Sequence, residues 1–488
     1  MKKILIANRG EIAVRIIRTC QELGIATVAV YSEADAAAPH VILADERYCL
    51  GPAAALQSYL VPEKLITAAL KTGADAIHPG YGFLSENPAL PQACCDNKLI
   101  FIGPTAETMR KLGGKIHAKQ MMKARGVPVV PGDPEPVATV EQAAAKADKI
   151  GYPVLVKAAF GGGGRGMREV FSREELAKGF NEAVMESKSA FNREEVFIEK
   201  LIVRPRHVEI QIFSDSHGNH LHLGERECSI QRRHQKLIEE SPSVAVDPAL
   251  RAKMGKAATE VAKAVDYLGA GTVEFLLDQQ QNFYFLEMNT RLQVEHPVTE
   301  MVLGFDLVAE QIRVARGEKL SFTQEQVSQK GWAIECRICA EESDGSFAPS
   351  LGNILALREP SGPFVRVDSG IREGSDVSSY YDSMLSKLIV WGQTRDEAIA
   401  RMHRALLEYK VVGIHTNIAF HLRVMASPKF RSGDLSIGFI EEERAFLFHH
   451  AQKYSMIAQY LAMALEMERE KTTVPKRSNK ASRWNKNL

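Results

Sequence analysis

GTVEFLLDQQQNFYFLEMNTRLQVEH, Gly271 to His296, decides the reading of this chain. Two strand-like runs, Val273 to Leu277 and Phe283 to Asn289, flank the polar stretch Asp278 to Asn282, which predicts a β-hairpin. Across it Glu274 faces Glu287, and residues two apart share a face, so Glu274, Glu287 and Asn289 converge. Opposed carboxylates repel unless a cation lies between them. Carboxylate and amide oxygens suit Mg²⁺ or Mn²⁺. If the chain stays extended, Arg291, Gln293 and Glu295 continue the same row, with Met288, Leu292 and Val294 on the other face. A solvated strand face is the plain alternative. Against it, Phe283, Phe285 and Met288 put apolar bulk on both faces, so the acids are badly placed for water and need a partner.

Two upstream segments carry related chemistry. In KAAFGGGGRGMR, Lys157 to Arg168, a glycine run follows the strand-like Val154 to Lys157. Backbone N–H groups without side chains can fold over phosphates as a donor-rich nest. A Walker A loop is excluded because Met167-Arg168 follows Gly166 where Lys-Ser/Thr is required. A kinase loop is excluded because no H-R-D or D-F-G set follows. The second segment places His207, Glu209 and Gln211 on one strand face. Gln231 to Lys236 then gathers Arg232, Arg233, His234 and Lys236, an anion-binding composition or a solvated loop.

Around these segments the chain reads as several domains. Its 488 residues exceed what one compact core holds. Lys3 to Ala7, Glu11 to Leu23 and Ala26 to Tyr31 predict a β-α-β start of a doubly wound sheet, the helix burying Ile12, Ile16, Cys20 and Leu23. Its loop, Ala7 to Glu11, lacks the G-x-G-x-x-G of dinucleotide sites. Helices are predicted over Lys111 to Arg125, Arg173 to Glu186, Pro248 to Leu268 and Arg395 to Tyr409. A further helix over Ala451 to Arg469 precedes a disordered basic end, Lys471 to Leu488. A net charge of +1 points to neither nucleic acid nor membrane. Seven cysteines fit reduced thiols and a cytoplasmic location, and Cys336 and Cys339 would point to opposite faces of one strand rather than share a metal.

Lysine, glycine flap and distant acidic hairpin, in that order, resemble an ATP-grasp enzyme. More narrowly, the chain resembles the biotin carboxylase family nearly throughout, to about Glu443. The resemblance rests on ANRGEIA (Ala7 to Ala13), HPGYGFLSEN (His78 to Asn87), FIGP (Phe101 to Pro104), RHVEIQ (Arg206 to Gln211), QRRHQK (Gln231 to Lys236), EMNTRLQVEHPVTE (Glu287 to Glu300), ECRI (Glu335 to Ile338) and YYDSM (Tyr380 to Met384). It implies an α/β and α+β multidomain fold. A Rossmann-like N-terminal domain covers 1–113. An ATP-grasp domain covers 114–330, its glycine-rich lid at about 130–202. A C-terminal biotin carboxylase domain covers 331–445, and the tail 446–488 is helical then basic and flexible.

The same resemblance implies that ATP phosphorylates bicarbonate to carboxyphosphate and that biotin on a separate carrier protein is carboxylated. Lys115, Lys157 and His207 would hold phosphates beneath Gly161, Gly162, Gly163, Gly164 and Gly166. Glu199, Lys200 and Ile202 would contact adenine, with Gln231 and His234 at the ribose or helping to close the site. Glu274, Glu287 and Asn289 would bind two Mg²⁺ or Mn²⁺ ions. Glu295 would be the base for bicarbonate, with Lys236, Arg291, Gln293 and the Val294 backbone holding the anion. Arg337 would stabilise the biotin enolate oxygen near Tyr81, and phosphate would take the biotin proton. Ala159-Phe160 departs from the family's usual Ser-Gly, and no Met-Lys-Met carrier site is present. Also implied are a homodimer through Arg18, Glu22, Phe364 and Arg366 and a separate carboxyltransferase as partner. The resemblance favours acetyl-CoA carboxylase and fatty acid biosynthesis. A split pyruvate carboxylase, another acyl-CoA carboxylase, a carboxylate–amine ligase and a silent nucleotide-binding protein remain as alternatives.

Overall fold

The computed structural model describes residues 1–158, 167–191, 195–233, 235–448, 460, 463–465 and 467–468, with the backbone alone at 115–117, 133–134, 158 and 190–191. Gly161 to Gly166, His234 and the basic end 471–488 therefore lie outside the described residues.

The N-terminal strand Lys3–Ile6 sits at the centre of a five-stranded parallel sheet. Ala26–Ser32 and then Glu46–Gly51 flank it on one side, Ala76–His78 and Ile100–Phe101 on the other. Alternate residues feed two cores, as a sheet covered on both faces requires. Ile4 and Ile6 pack with Ile12, Ile16 and Ile17 of the helix Gly10–Glu22, and Leu5 packs with Val28, Val30 and Ile77 on the reverse. The predicted helix stripe holds at Ile12, Ile16 and Cys20, but Leu23, past the last turn, is exposed.

The predicted helix over Lys111 to Arg125 is two helices, Ala106–Gly113 and Lys115–Ala124, because Gly114 takes an extended conformation at φ −88°, ψ 96°. Paired glycines give a helix little reason to continue. The helix predicted to Leu268 stops at Ala264, since Asp266 turns the chain at φ +48°.

A small antiparallel sheet places Val196–Lys200 between Gly132–Val137 and Val154–Ala158, with Met167–Val170 outermost. Helices Val140–Ile150 and Arg173–Phe191 pack on it through Ala143, Ala147, Leu176, Phe180 and Ala183.

The largest element is an eight-stranded antiparallel sheet. Its order is Phe283–Asn289, Gly269–Leu277, Arg206–Ser214, His220–Arg232, Gln235–Ser241, Trp332–Cys339, Met384–Gly392, Val365–Ser369. Strands from either side of residue 330 pair directly, Gln235–Ser241 with Trp332–Cys339, so one sheet runs through both. The helix Pro248–Ala264 covers one end over Val208, Val273, Phe275 and Phe285. The helix Arg395–Glu408 covers the other over Ile334, Leu388 and Val390. Cys336 and Cys339 are buried free thiols. No helix among the described residues is long and apolar enough to cross a membrane.

Candidate functional site

The hairpin forms, and Glu274 pairs with Glu287. A bulge makes this so. Leu277, Leu276 and Phe275 pair with Phe283, Tyr284 and Phe285, a register that would set Leu286 opposite Glu274. The irregularity between Glu274 and Phe275 skips one residue and brings in Glu287. Asn289 then joins the same face and donates from Nδ2 to Glu274 Oε1 at 2.8 Å.

The strand does not continue to Glu295 as expected. It ends at Asn289, and the chain turns into a helix, His296–Leu303. The row still assembles, held by side chains rather than by pleat. Arg291 donates from Nε to Glu86 Oε2 at 3.1 Å, from Nη1 to Gln293 Oε1 at 3.1 Å and from Nη2 to Asn289 Oδ1 at 3.3 Å. Glu86, from the N-terminal domain, also accepts from the Thr290 N–H.

Lys236 is the centre of the arrangement. Its buried ammonium donates to Glu209 Oε2 at 2.5 Å, Glu295 Oε1 at 2.6 Å and Glu274 Oε1 at 2.9 Å. Arg337 takes the other oxygen of Glu295 at 2.9 Å from Nη2 and donates from Nε to Glu239 at 2.7 Å. Burial alone would push these carboxyl groups up. For Glu295, Lys236, Arg337 and Arg226 outweigh it and hold the carboxylate well below its usual range. For Glu274, Lys236 and His207 do the same. Behind Arg337 burial prevails: Glu239 is pushed up to about 7, and its cross-strand neighbour Glu335 is well above the usual range. The front acids thus stay ionised and suited to cations, while the rear ones resist ionisation.

His207, Glu209 and Gln211 line the adjacent strand as expected. His207 Nε2 lies 3.2 Å from Glu274 Oε2. Arg226 pairs across the strands with Glu209. Wholly buried, it donates to Glu209 at 2.6 Å, Gln211 at 2.8 Å, Thr299 at 2.9 Å and Thr272 at 3.1 Å.

Around the small sheet, Lys157 lies 3.5 Å from Glu199 Oε2, and Lys119 binds the other oxygen. Lys200 turns to the carbonyls of Gly151 and Tyr152, both at 2.9 Å, and Ile202 is half-buried. Lys115 opens its helix, four residues before Lys119. Gln231 is buried opposite Lys236. Tyr81 is buried, and its hydroxyl has no hydrogen-bond partner among the described residues.

Glu86, Lys119, Arg226, Glu239 and Lys387 escape the sequence reading. Arg226 alone left a signal there, as a charge facing Glu209 across two adjacent strands.

The opposed Glu274 and Glu287, with the Asn289 amide beside them, form a hard-oxygen donor set that fits Mg²⁺ or Mn²⁺.

Three family models match in succession. They are the biotin carboxylase N-terminal domain over residues 1–109, the carbamoyl-phosphate synthase L chain ATP-binding domain over 114–323 and the biotin carboxylase C-terminal domain over 335–442. The chain is 54% identical over 440 residues to a biotin carboxylase of Nostoc sp., covering 90% of this chain and 98% of that one. It is 52% identical over 442 residues to one of the pyruvate carboxylase subunits of Methanothermobacter thermautotrophicus, covering 91% and 90%. In structure it is similar to the biotin carboxylase domain dimer of Hydrogenobacter thermophilus 2-oxoglutarate carboxylase with MgADP, ADP and bicarbonate. The TM-score is 0.85 and the identity 46%, over 91% of this chain and 98% of that one.

Proposed function

The chain belongs to the biotin carboxylase family of ATP-dependent ligases, and on that footing we propose that its buried acidic row carboxylates biotin on a separate carrier protein. The observation that carries the reading is the grip on Glu295, Lys236 on one oxygen at 2.6 Å and Arg337 on the other at 2.9 Å. A carboxylate so held is a weak base. Bicarbonate entering between these cations draws Lys236 and Arg337 onto its own oxygens, and the basicity of Glu295 rises as they leave it. Glu295 then takes the bicarbonate proton while the anion's oxygen attacks the γ-phosphoryl group of ATP and ADP departs.

Arg291, Gln293 and the Val294 backbone complete the anion site, and a planar guanidinium suits a planar carbonate. Glu274, Glu287 and Asn289 would hold the metal, as two ions. Bound there, it neutralises charge on the transferring phosphoryl group. Lys115, Lys157 and His207 hold phosphates below the glycine loop, with Glu199, Lys200, Ile202, Gln231 and His234 on the nucleoside side. Carboxyphosphate breaks into CO₂ and phosphate, and phosphate takes the N1′ proton of biotin. The Arg337 guanidinium meets the enolate oxygen, and N1′ attacks CO₂.

Mg-ATP, bicarbonate and free biotin mixed with the protein give biotin-stimulated ADP release. Glu295→Ala abolishes it nearly completely, and Arg337→Ala lowers it by about 10²–10³, the cost of an oxyanion donor. Biotin-independent turnover with an amine acceptor overturns the proposal. Acetyl-CoA is the proposed final acceptor, reached through a separate carboxyltransferase. The similarity to a pyruvate carboxylase component supports pyruvate as the second reading. We also place a homodimer contact at the groove of about 410 Å³ lined by Arg15, Arg18, Glu22, Glu300 and Arg366.

A further inference from the structure

The strand beside Arg337 carries a second buried cation, Lys387, with no exposed surface at all. An ammonium buried this deeply survives only where its donors are used. Lys387 donates to the Val294 carbonyl at 2.8 Å. Glu11 Oε2 stands at 3.4 Å and Asp368 Oδ2 at 3.8 Å, and the Tyr81 ring lies 5.6 Å away. One ammonium therefore joins the first helix of the chain, the turn after the hairpin and the far end of the large sheet.

That turn matters because Glu295 follows Val294. Both peptide groups of the turn are pinned. The Gln293 carbonyl accepts from His296 Nδ1 at 2.7 Å and from the His296 N–H at 3.3 Å, and the Val294 carbonyl accepts from Lys387. Arg337 and Lys387 are cross-strand partners and so share a face. One grips the carboxylate of Glu295, and the other grips the peptide carbonyl just before it. Glu295 has a fixed side chain only if its backbone is fixed too, and no side chain caps the helix that starts there.

We infer that Lys387 is a positioning residue for the bicarbonate base: by holding the Val294 carbonyl it sets the direction from which Glu295 meets its substrate. The inference rests on the proposed function, in which Glu295 takes the bicarbonate proton. Without the ammonium, the Val294–Glu295 peptide can rotate and carry the carboxylate off line. A misplacement of about 1 Å costs about 100-fold in rate.

The test uses the full chain with Mg-ATP, bicarbonate and free biotin. Lys387→Met is expected to lower kcat about 100-fold and raise the bicarbonate KM about tenfold, with the Mg-ATP KM within about two-fold of wild type. Lys387→Gln keeps an N–H donor near the carbonyl and is expected to regain about tenfold of the lost kcat. If Lys387→Met does not fold, Lys387→Gln against wild type carries the same comparison of the two KM values. Wild-type kinetics in the variants, equal rises in both KM values, or no recovery in Lys387→Gln overturns the inference. Wild-type protein with no biotin-dependent ADP release defeats the proposed function itself, whereas active wild type with an unsplit pair of KM values defeats the role of Lys387 alone.

Discussion

Replacing Arg226 by methionine removes the cation on which Glu209, Gln211, Thr272 and Thr299 converge while leaving a side chain of similar reach. Arg226 has no exposed surface, and neither has Glu209. Breaking a buried ion pair by removing one partner costs about 3–5 kcal/mol, because a charge is left uncompensated. Here Glu209 keeps Lys236 at 2.5 Å, which argues for the low end. Gln211 moves the cost back up. Its amide still donates to the carbonyls of Ile212 and Gly271, at 3.1 and 2.9 Å, so its oxygen cannot swing away and is stranded. A stranded buried acceptor adds about 1–3 kcal/mol. About 4 kcal/mol is therefore expected, a fall of about 4 °C in melting temperature, since an unfolding entropy of about 2.1 cal/mol/K per residue makes each kcal/mol worth about 1 °C in a chain of 488 residues. Thermal unfolding of wild type, Arg226→Met and the double variant Arg226→Met with Glu209→Gln reads this out. Neutralising Glu209 removes the uncompensated charge, so the double variant should recover about half the loss. The single variant should also show a raised bicarbonate KM, because Glu209 then draws Lys236 away from Glu295. A fall below about 2 °C, or a double variant no more stable than the single, would refute the reasoning.

Other outcomes follow from the same charges. Burial pushes Glu11 up to about 7, against the pull of Lys387 and Arg337 and with the push of Asp368. A raised carboxyl pKa means the folded chain holds a proton that the unfolded chain gives up, so this contribution is present at low pH and is lost as pH rises through about 4.5 to 7. Glu11→Gln should therefore gain stability over wild type by about 2–3 kcal/mol more at pH about 8 than at pH about 5, measured by denaturant unfolding; a pH-independent difference would count against it. Glu287→Gln should raise the Mg²⁺ concentration for half-maximal ADP release about tenfold or more while the biotin KM stays near wild type. An unchanged Mg²⁺ titration would remove Glu287 from the metal site.

The hairpin pattern was strong enough to give the Glu274–Glu287 pair, yet the bulge that produces it has no local signature, since Leu286 looks like any strand residue. Alternation beyond Asn289 suggested a strand because it reports which residues share a face, not whether the backbone stays extended. Gln293 and Glu295 reach the site through a turn held by His296 and Lys387, contacts that depend on residues brought near only by folding. Glu86 is 205 positions from Arg291, and no periodicity connects them. Glu239 reads as an ordinary polar residue of a strand. Its resistance to ionisation arises from burial, with the charge of Glu295 adding to it, in a sheet that only folding assembles.

The pairing of Gln235–Ser241 with Trp332–Cys339 also governs how the molecule can be taken apart. A chain cut near residue 330 would leave Gln235–Ser241 and Trp332–Cys339 as two raw edges, each with a ladder of unmet N–H and C=O groups and a hydrophobic face open to water. Expressed singly, such fragments should aggregate; mixed during refolding, they should find each other. The groups around Glu274 and Glu287 and those around Arg337 are mounted on one continuous board, so their spacing is set when the strands zip together and cannot be tuned afterwards by swinging one half against the other.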